Sequence, residues 1–526
     1  MTAVLEPELV VPAEPAPAPA PRRRVGWAHA LWRLTVVAYA AALLVFVLSL
    51  KVGDALATSL VLQVYAYLLA AYLVTRVAVA FRYRPDTTTV PDADLPSLVI
   101  AVPAFNEEAH VEDTIDALFR VDYPADKLRV VVVDDGSSDD TWARIKTSAV
   151  RHPLLDGIKF SRNRGKRAAM AAAVRAADGA DLVVFVDSDS VLEPQALREL
   201  VKPFLGDRTG RVAAVTGHAD VQNPGTNLLT RLQQVRYFAA FRVIKAAESR
   251  YGAVTCASGC FSAYRRSELL EVLHEWENQR FLGQEATFGD DRALTNALLR
   301  RGREVRYQST AVSATLVPDR WKAFLTQQLR WKKSWLRETL YVVRFAWRWP
   351  LIAAFGVYAS VLFQLLGPLV ALHSLVIRPV FLGGSPWLYL VGLQVVAVLY
   401  GLLYAGVKRS PHWWGGIAYA FAYSAVISWQ IYWAMLTQRN TSWGTRDSSI
   451  TGEGPPLAVA EVVGEPGDTG LPLLCAPGRR LPAVPSTLGE RPAVPDWDAA
   501  TRRDWVVGVL AVPLSSLPVL WWVFLR

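Results

Sequence analysis

The stretch "DLVVFVDSD", residues 181–189, decides how this chain is read. An apolar run rich in valine ends abruptly in two carboxylates two positions apart. A short apolar, β-branched run bounded by a polar turn reads as a buried strand. Two other runs share this pattern, "SLVIAVPAF" (97–105) and "LRVVVVDDG" (128–136), with helical stretches between them. Strands alternating with helices predict a mostly parallel α/β sheet with helices on both faces. In such sheets ligands sit in the crevice outside the carboxyl ends of the strands. All three runs end in acidic or amide clusters: Asn106-Glu107-Glu108, Asp134-Asp135-Gly136 and Asp187-Ser188-Asp189. One such cluster reads as a solvated loop; three on one edge make a site.

Each cluster has a chemical logic. Asp187 and Asp189 stand where the chain leaves the sheet, placed to hold a hard divalent cation through oxygen. Mg²⁺ or Mn²⁺ there would bridge a diphosphate and neutralise a leaving group. The acidic segment 134–141 has two readings: Asp139 or Asp140 caps a helix starting near Thr141, while a buried Asp135 suits the N–H of a base or a ribose hydroxyl. "RNRGKR" (162–167) brings Lys166 and Arg167 beside a glycine, which suits phosphate or a plain basic loop. "FGDDRALTNALLRRG" (288–302) starts a helix, with Asp290 or Asp291 as its N-cap or as a general base. In "LTQQLRWKKSW" (325–335), Gln327, Arg330 and Trp331 share one helix face. They offer an amide, a cation for diphosphate and an indole for a sugar ring. The same stretch reads as an interfacial helix with snorkelling cations, and both readings hold if the site lies at a membrane surface.

The rest of the chain explains that doorstep. It has 526 residues, a net charge of +9, 52% hydrophobic residues and 19 Trp. Its cations flank apolar runs, the pattern of positive-inside anchoring with aromatic belts, so no nucleic-acid partner is expected. Cys256, Cys260 and Cys475 form neither a disulfide framework nor a zinc site. Residues 1–24, with "PAEPAPAPAP" at 12–21, read as a disordered cytoplasmic tail. Residues 25–84 carry two apolar runs, at 34–50 and 58–80, each near the ~20 residues that span a bilayer. "RRR" (22–24) and "FRYR" (81–84) put both outer ends in the cytoplasm, and with them a cytoplasmic domain at 85–320. Interfacial helices follow at 321–349. Membrane segments at 350–446 comprise spans at 351–376 and 387–407 and a run at 414–436, read as re-entrant because cations flank both of its ends. A Pro/Gly-rich linker (447–503) precedes a last span at 504–526.

These motifs resemble those of the membrane-embedded, processive family-2 glycosyltransferases: the hyaluronan, chitin and cellulose synthases. That family's ordered signature is an Asp-Asp pair, D-x-D, an acidic-Asp pair and Q-x-x-R-W. Here they stand as Asp134-Asp135, Asp187-Ser188-Asp189, Asp290-Asp291 and Gln327 to Trp331. "VPAFNE", "GKR", "SGCFSAYRR", "GDDRALTN", "QQLRWKKSWLRE" and "SWGTR" (442–446) are most similar to hyaluronan synthases. The resemblance implies a glycosyltransferase-A-type domain inserted between α-helical transmembrane segments of a plasma-membrane protein. It further implies that Asp135 contacts uridine, Asp187 and Asp189 serve Mg²⁺ or Mn²⁺, and Asp291, with Asp290 beside it, is the catalytic base. Arg330 would bind diphosphate and Trp331 floor the acceptor site. Asn106, Glu107, Asp134, Lys166, Arg167, Gln327, Trp443 and Arg446 complete the expected substrate contacts. The implied activity is processive and inverting: UDP-N-acetylglucosamine and UDP-glucuronic acid would be joined into hyaluronan, and the polysaccharide passed through the bilayer with no obligate protein partner. Arg265, Arg266 and Arg292 are expected to tolerate the acidic donor. The alternatives are a chitin-, poly-N-acetylglucosamine- or cellulose-type synthase and a non-processive transferase acting on a lipid.

Overall fold

The three apolar runs form adjacent strands in the computed structural model, which describes residues 60–408, 411–440 and 459–463. The tail 1–24, the apolar runs at 34–50 and 505–526, Trp443, Arg446 and Cys475 lie outside the described residues. Helix α1 (Leu60–Phe81) leads into β1 (Leu98–Ala104), α2 (Val111–Leu118), β2 (Leu128–Asp134), α3 (Thr141–Arg151), β3 (Leu155–Phe160) and α4 (Lys166–Ala176). Then come β4 (Leu182–Val186), β5 (Ser190–Leu192), α5 (Ala196–Leu205), β6 (Val212–Val221), α6 (Leu228–Ala239), β7 (Phe261–Arg265) and α7 (Arg266–Glu277). A small hairpin of β8 (Arg280–Phe281) and β9 (Gln284–Glu285) precedes α8 (Asp290–Arg300) and β10 (Glu304–Thr315). The remaining elements are α9 (Trp321–Val342), α10 (Leu351–Leu372), α11 (Trp387–Lys408), α12 (Gly415–Ala422), α13 (Gln430–Leu436) and β11 (Val459–Val463).

The large sheet runs β11-β3-β2-β1-β4-β7-β6-β10-β5. Strands β1, β2, β3, β4, β6 and β10 point one way, and β5, β7 and β11 run against them. Side chains alternate between faces with the period of two that a strand imposes. In β1, Val99 and Ala101 pack toward α4, α7 and α8, with Met170, Leu269 and Leu294. Leu98, Ile100 and Val102 pack on the other face with Ile115, Ile145 and Leu197 of α2, α3 and α5. Both faces are buried, which is why these strands read as continuous apolar runs.

β11 corrects one expectation. It falls inside the predicted 447–503 linker, yet its backbone pairs antiparallel with β3 on the sheet edge. Its sequence, "VAEVV", is β-branched enough to pair, but the Pro and Gly around it mask the signal.

Among the described residues, three helices are long and apolar enough to cross a membrane: Val64–Phe81, Leu351–Phe381 and Tyr389–Lys408. The second is α10 extended through a π-turn at His373–Ile377. Large apolar side chains such as Tyr67, Val74, Leu369 and Val380 point outward from these helices, a surface suited to lipid rather than water. The run at 414–436 is helical but broken by a π-turn at Tyr423–Ile427, between α12 and α13.

Candidate active site

A cavity of about 600 Å³ opens at the carboxyl ends of β2 and β4. Asp135, Lys166, Asp187, Asp189, Asp290, Asp291, Gln327, Arg330 and Trp331 all line it. The predicted clusters thus converge, although 196 residues separate Asp135 from Trp331 in sequence (331 minus 135).

The first acidic pair splits by function. Asp134 is the last residue of β2 and fully buried; its Oδ1 accepts the Ser137 N–H at 2.9 Å, which tightens the turn. Gly136 follows at φ +71°, where a Cβ would collide with the backbone of Arg162. Glycine therefore permits the 162–165 loop to close in, and Arg164 N–H donates to Asp135 Oδ1 at 2.7 Å. Burial pushes the Asp135 carboxyl up to about 7, against the pull of the amides that bind it. Asp139 caps α3: its Oδ1 accepts from the Thr141 N–H at 3.1 Å, whereas Asp140 makes no capping bond.

Four expected substrate contacts belong elsewhere. Asn106 Oδ1 accepts from the Ser138 N–H at 3.0 Å, and Glu107 N–H donates to the Thr141 hydroxyl at 2.8 Å. With Asp134 they tie two loops together at the rim, and none of the three lines the cavity. Arg167 is buried, donates to Asp290 Oδ1 at 2.8 Å and to Trp276 O at 2.8 Å, and lies over the Trp276 ring. Its Nε and Nη1 are thus engaged within the fold, and Arg167 does not line the cavity. Arg265 and Arg266 are corrected as well: Arg265 donates to Val212 O at 2.8 Å and Arg266 pairs with Asp178, leaving only Arg292 of that trio in the cavity.

The second pair, Asp290-Asp291, divides more sharply. The N-cap of α8 is Gly289, at φ +78°, not either aspartate. One helical step turns the side chain by about 100°. Asp290 is thereby sent to the buried Arg167, with both side chains only 6% exposed. Asp291 remains half-buried in the cavity. Its Oδ1 accepts from the Arg292 N–H at 2.8 Å, and its Oδ2 accepts from the Cys256 thiol at 3.3 Å. Burial and the neighbouring Asp291 push that thiol up to about 11, so it stays protonated and donating at neutral pH.

A buried ion pair within α9 is hydrogen-bonded across to α8 and the segment before it. Arg337 Nε meets Glu338 Oε1 at 2.8 Å, Arg337 also donates to Phe288 O at 2.6 Å, and Glu338 accepts from Gln279 and Asn296. This buried network holds the helix that carries Gln327, Arg330 and Trp331. The Gln327 amide oxygen is buried with no hydrogen-bond partner among the described residues. Such an orphan acceptor beside a cavity awaits a donor from outside.

Asp187 and Asp189 offer the donor set of a cation site. Both are half-buried carboxylates in the cavity, and the Lys166 ammonium already pairs with Asp187 Oδ1. Among the described residues no group of three or more His, Cys, Asp or Glu forms a metal cage. Two carboxylates that leave the remaining positions to water and phosphate oxygens suit Mg²⁺ or Mn²⁺. The residues fit such an ion.

Comparison with known proteins bears on this arrangement. Residues 96–334 match the family described as "Glycosyltransferase like family 2". A hyaluronan synthase of Streptococcus pyogenes is 34% identical over 391 residues, covering 73% of this chain and 90% of that one. The chain belongs to family 2 of the glycosyltransferases. An N-acetylglucosaminyltransferase of Rhizobium meliloti is 37% identical over 53% of this chain and 65% of its own length. One from Rhizobium sp. strain N33 is 33% identical over 69% and 80%. In fold, the family-2 domain is similar to a mannosyltransferase of Pyrobaculum calidifontis solved with GDP-Man and Mn²⁺, at a TM-score of 0.50 and 22% identity, over 72% of this chain and 98% of that one. The fold is therefore glycosyltransferase-A-like, and the chain is an enzyme that transfers a sugar.

Sequence motifs missed Cys256 on Asp291, Lys166 as the partner of Asp187, and Arg236 and Tyr237 of α6 beside Trp331. No spacing signal marks Arg236 or Cys256; tertiary packing alone brings them in.

Proposed function

We propose that this family-2 glycosyltransferase is a processive, inverting synthase. It would join UDP-N-acetylglucosamine and UDP-glucuronic acid into a hyaluronan-type polymer and pass the product between its own apolar helices. One observation carries the reading. The cavity that holds Asp135, Asp189, Asp291 and Trp331 continues to Arg76 of α1 and to Gly356, Ser360 and Gln364 of α10. A sugar leaving Trp331 would meet the apolar helices rather than open solvent. Helix α13 returns to α9, where Gln430 donates to Leu325 O at 3.0 Å. That contact supports a re-entrant path for 414–436, and the flanking cations would put the catalytic domain on the cytoplasmic side.

In this reading Asp135 accepts from the uracil ring, and Arg330 and Lys166 face the diphosphate. A Mg²⁺ or Mn²⁺ ion on Asp187 and Asp189 would supply charge neutralisation for the departing UDP. Asp291, held at both oxygens by Arg292 and Cys256, takes the proton from the acceptor hydroxyl. Trp331 presents its indole to the acceptor sugar, one ring face being covered by the Arg236 guanidinium at 5.2 Å.

The test is purified enzyme with each donor alone and with both. Long polymer only with both donors, digested by hyaluronidase, supports the reading. Similarity to the rhizobial N-acetylglucosaminyltransferases favours a second reading, in which only N-acetylglucosamine is polymerised. Polymer from that donor alone, digested by chitinase, would establish it instead.

A further inference from the structure

Some cations at the cavity and behind its wall are matched by acids. Lys166 pairs with Asp187, Arg167 with Asp290 and Arg337 with Glu338. Arg236 and Lys332 also line the cavity, but neither has an ion-pair partner among the described residues. Aromatic rings cover them instead. Arg236 Cζ lies 5.2 Å from the Trp331 ring centre and 5.9 Å from that of Tyr419, and Lys332 Nζ lies 5.1 Å from that of Tyr423. Rings offset part of a cation's desolvation cost but do not neutralise it. Lys332 is buried, and burial together with the Arg236 charge pushes its ammonium down to about 8. Two like charges kept close in a poorly hydrated space await an anion.

Their position says which anion. The donor end of the cavity is marked by Asp187, Asp189 and Lys166. Arg236 lies over the Trp331 and Tyr419 rings and Lys332 over that of Tyr423, whose hydroxyl donates to Gln364 of α10 at 2.8 Å. A neutral polysaccharide would gain nothing from buried positive charge there. A guanidinium and an ammonium together suit a sugar carboxylate. We propose that Arg236 and Lys332 form an acceptor subsite that reads the carboxylate of an acidic sugar in the growing chain. This rests on the reading of Trp331 as the acceptor floor and names the residues that set acceptor specificity.

The experiment uses the full chain as wild type, Arg236→Gln, Lys332→Gln and Lys332→Arg. Two acceptors are compared: a short oligosaccharide containing glucuronate, and the same oligosaccharide with that carboxyl reduced to the alcohol. UDP affinity is measured separately by calorimetry. Wild type should prefer the acidic acceptor in kcat/KM by roughly 10-fold or more, the worth of one charge-assisted hydrogen bond. Each Gln variant should lose most of that preference, by a larger factor than any loss of UDP affinity, and Lys332→Arg should retain it. Preference unchanged in both Gln variants overturns the proposal. So does a matching loss of UDP affinity, which would assign the two cations to the diphosphate. Should wild type build polymer from both donors yet ignore the carboxyl, this subsite alone is wrong. Should wild type build a neutral polymer, the functional reading falls and the subsite with it.

Discussion

The two ends of the cavity solve the problem of buried charge in opposite ways. At the sheet end, acids outnumber cations and are tied down one by one: Asp135 by the Arg164 amide, Asp187 by Lys166, Asp290 by Arg167. At the helix end, Arg236 and Lys332 rest on Trp331, Tyr419 and Tyr423, with no ion-pair partner among the described residues. The difference teaches where each substrate belongs. An excess of carboxylate suits a diphosphate only through a bridging cation, whereas ring-covered cations suit a sugar chain with its own negative charge. In the proposed reading Asp291, also in the cavity, takes the proton of the acceptor hydroxyl.

The comparison breaks most visibly if the acidic end needs no cation. Chelation by EDTA should stop UDP release from the donor, a loss on the order of 10³-fold, and Mg²⁺ or Mn²⁺ should restore it. Asp189→Asn should show the same loss while still folding. Full turnover in chelator would remove the reason for two carboxylates at the end of β4.

A second test separates structure from chemistry within the same end. Asp290→Ala strips the partner from a buried Arg167, and such a loss costs about 3–5 kcal/mol. Thermal unfolding in detergent should show a clearly lowered Tm, while Asp291→Ala at the half-buried neighbour should leave the Tm nearly unchanged. Equal Tm values would mean that Asp290 is not the structural member of the pair.

How much of this was legible in the sequence follows from the same contrast. The sheet end was readable because strand ends announce themselves: an apolar run stops, and the next side chains enter the crevice. That rule put Asp135, Asp187 and Asp189 at the crevice, all three line the cavity, and the three strands appeared where expected. What adjacency concealed was direction. "DD" cannot say that Asp134 turns into the fold and Asp135 out of it, nor that Gly289 begins α8 and sends Asp290 to Arg167. Arg167 read as a phosphate ligand because its neighbour Lys166 is in the cavity, yet one helical step buries it. The helix end was legible only at Gln327, Arg330 and Trp331, which share a single helix. Arg236 comes from α6, 95 residues earlier than Trp331 (331 minus 236), and no local pattern records that encounter.

Smaller effects sharpen the contrast through pH. Asp135 is pushed up to about 7 by burial, so it is increasingly protonated below that value. A protonated carboxyl is a poorer acceptor for a uracil N–H, and the apparent KM for donor should rise several-fold as pH falls from about 8 to about 6. Asp135→Asn should bind donor weakly and without that slope; a wild-type KM flat across the range would take Asp135 out of nucleotide binding. Lys332 responds in the opposite sense. Arg236 is the charged group facing it and Tyr423 the ring beneath it, and its ammonium discharges as pH rises through about 8. Preference for the acidic acceptor should therefore fade above that pH, by a modest factor because Arg236 stays charged. The preference measured at about pH 7 and about pH 9 checks this.

The central claim is that one carboxylate, Asp291, takes the proton of the acceptor hydroxyl. The direct measurement is a single turnover with Asp291→Asn, in which UDP binding and sugar transfer are followed on the same preparation. UDP affinity should stay near the wild-type value, because the proposed nucleotide contacts are Asp135, Lys166 and Arg330 rather than Asp291. Transfer should fall by at least ~10²-fold, the least expected when a positioned base is removed. Near-normal transfer by Asp291→Asn, with UDP still bound, would contradict the account.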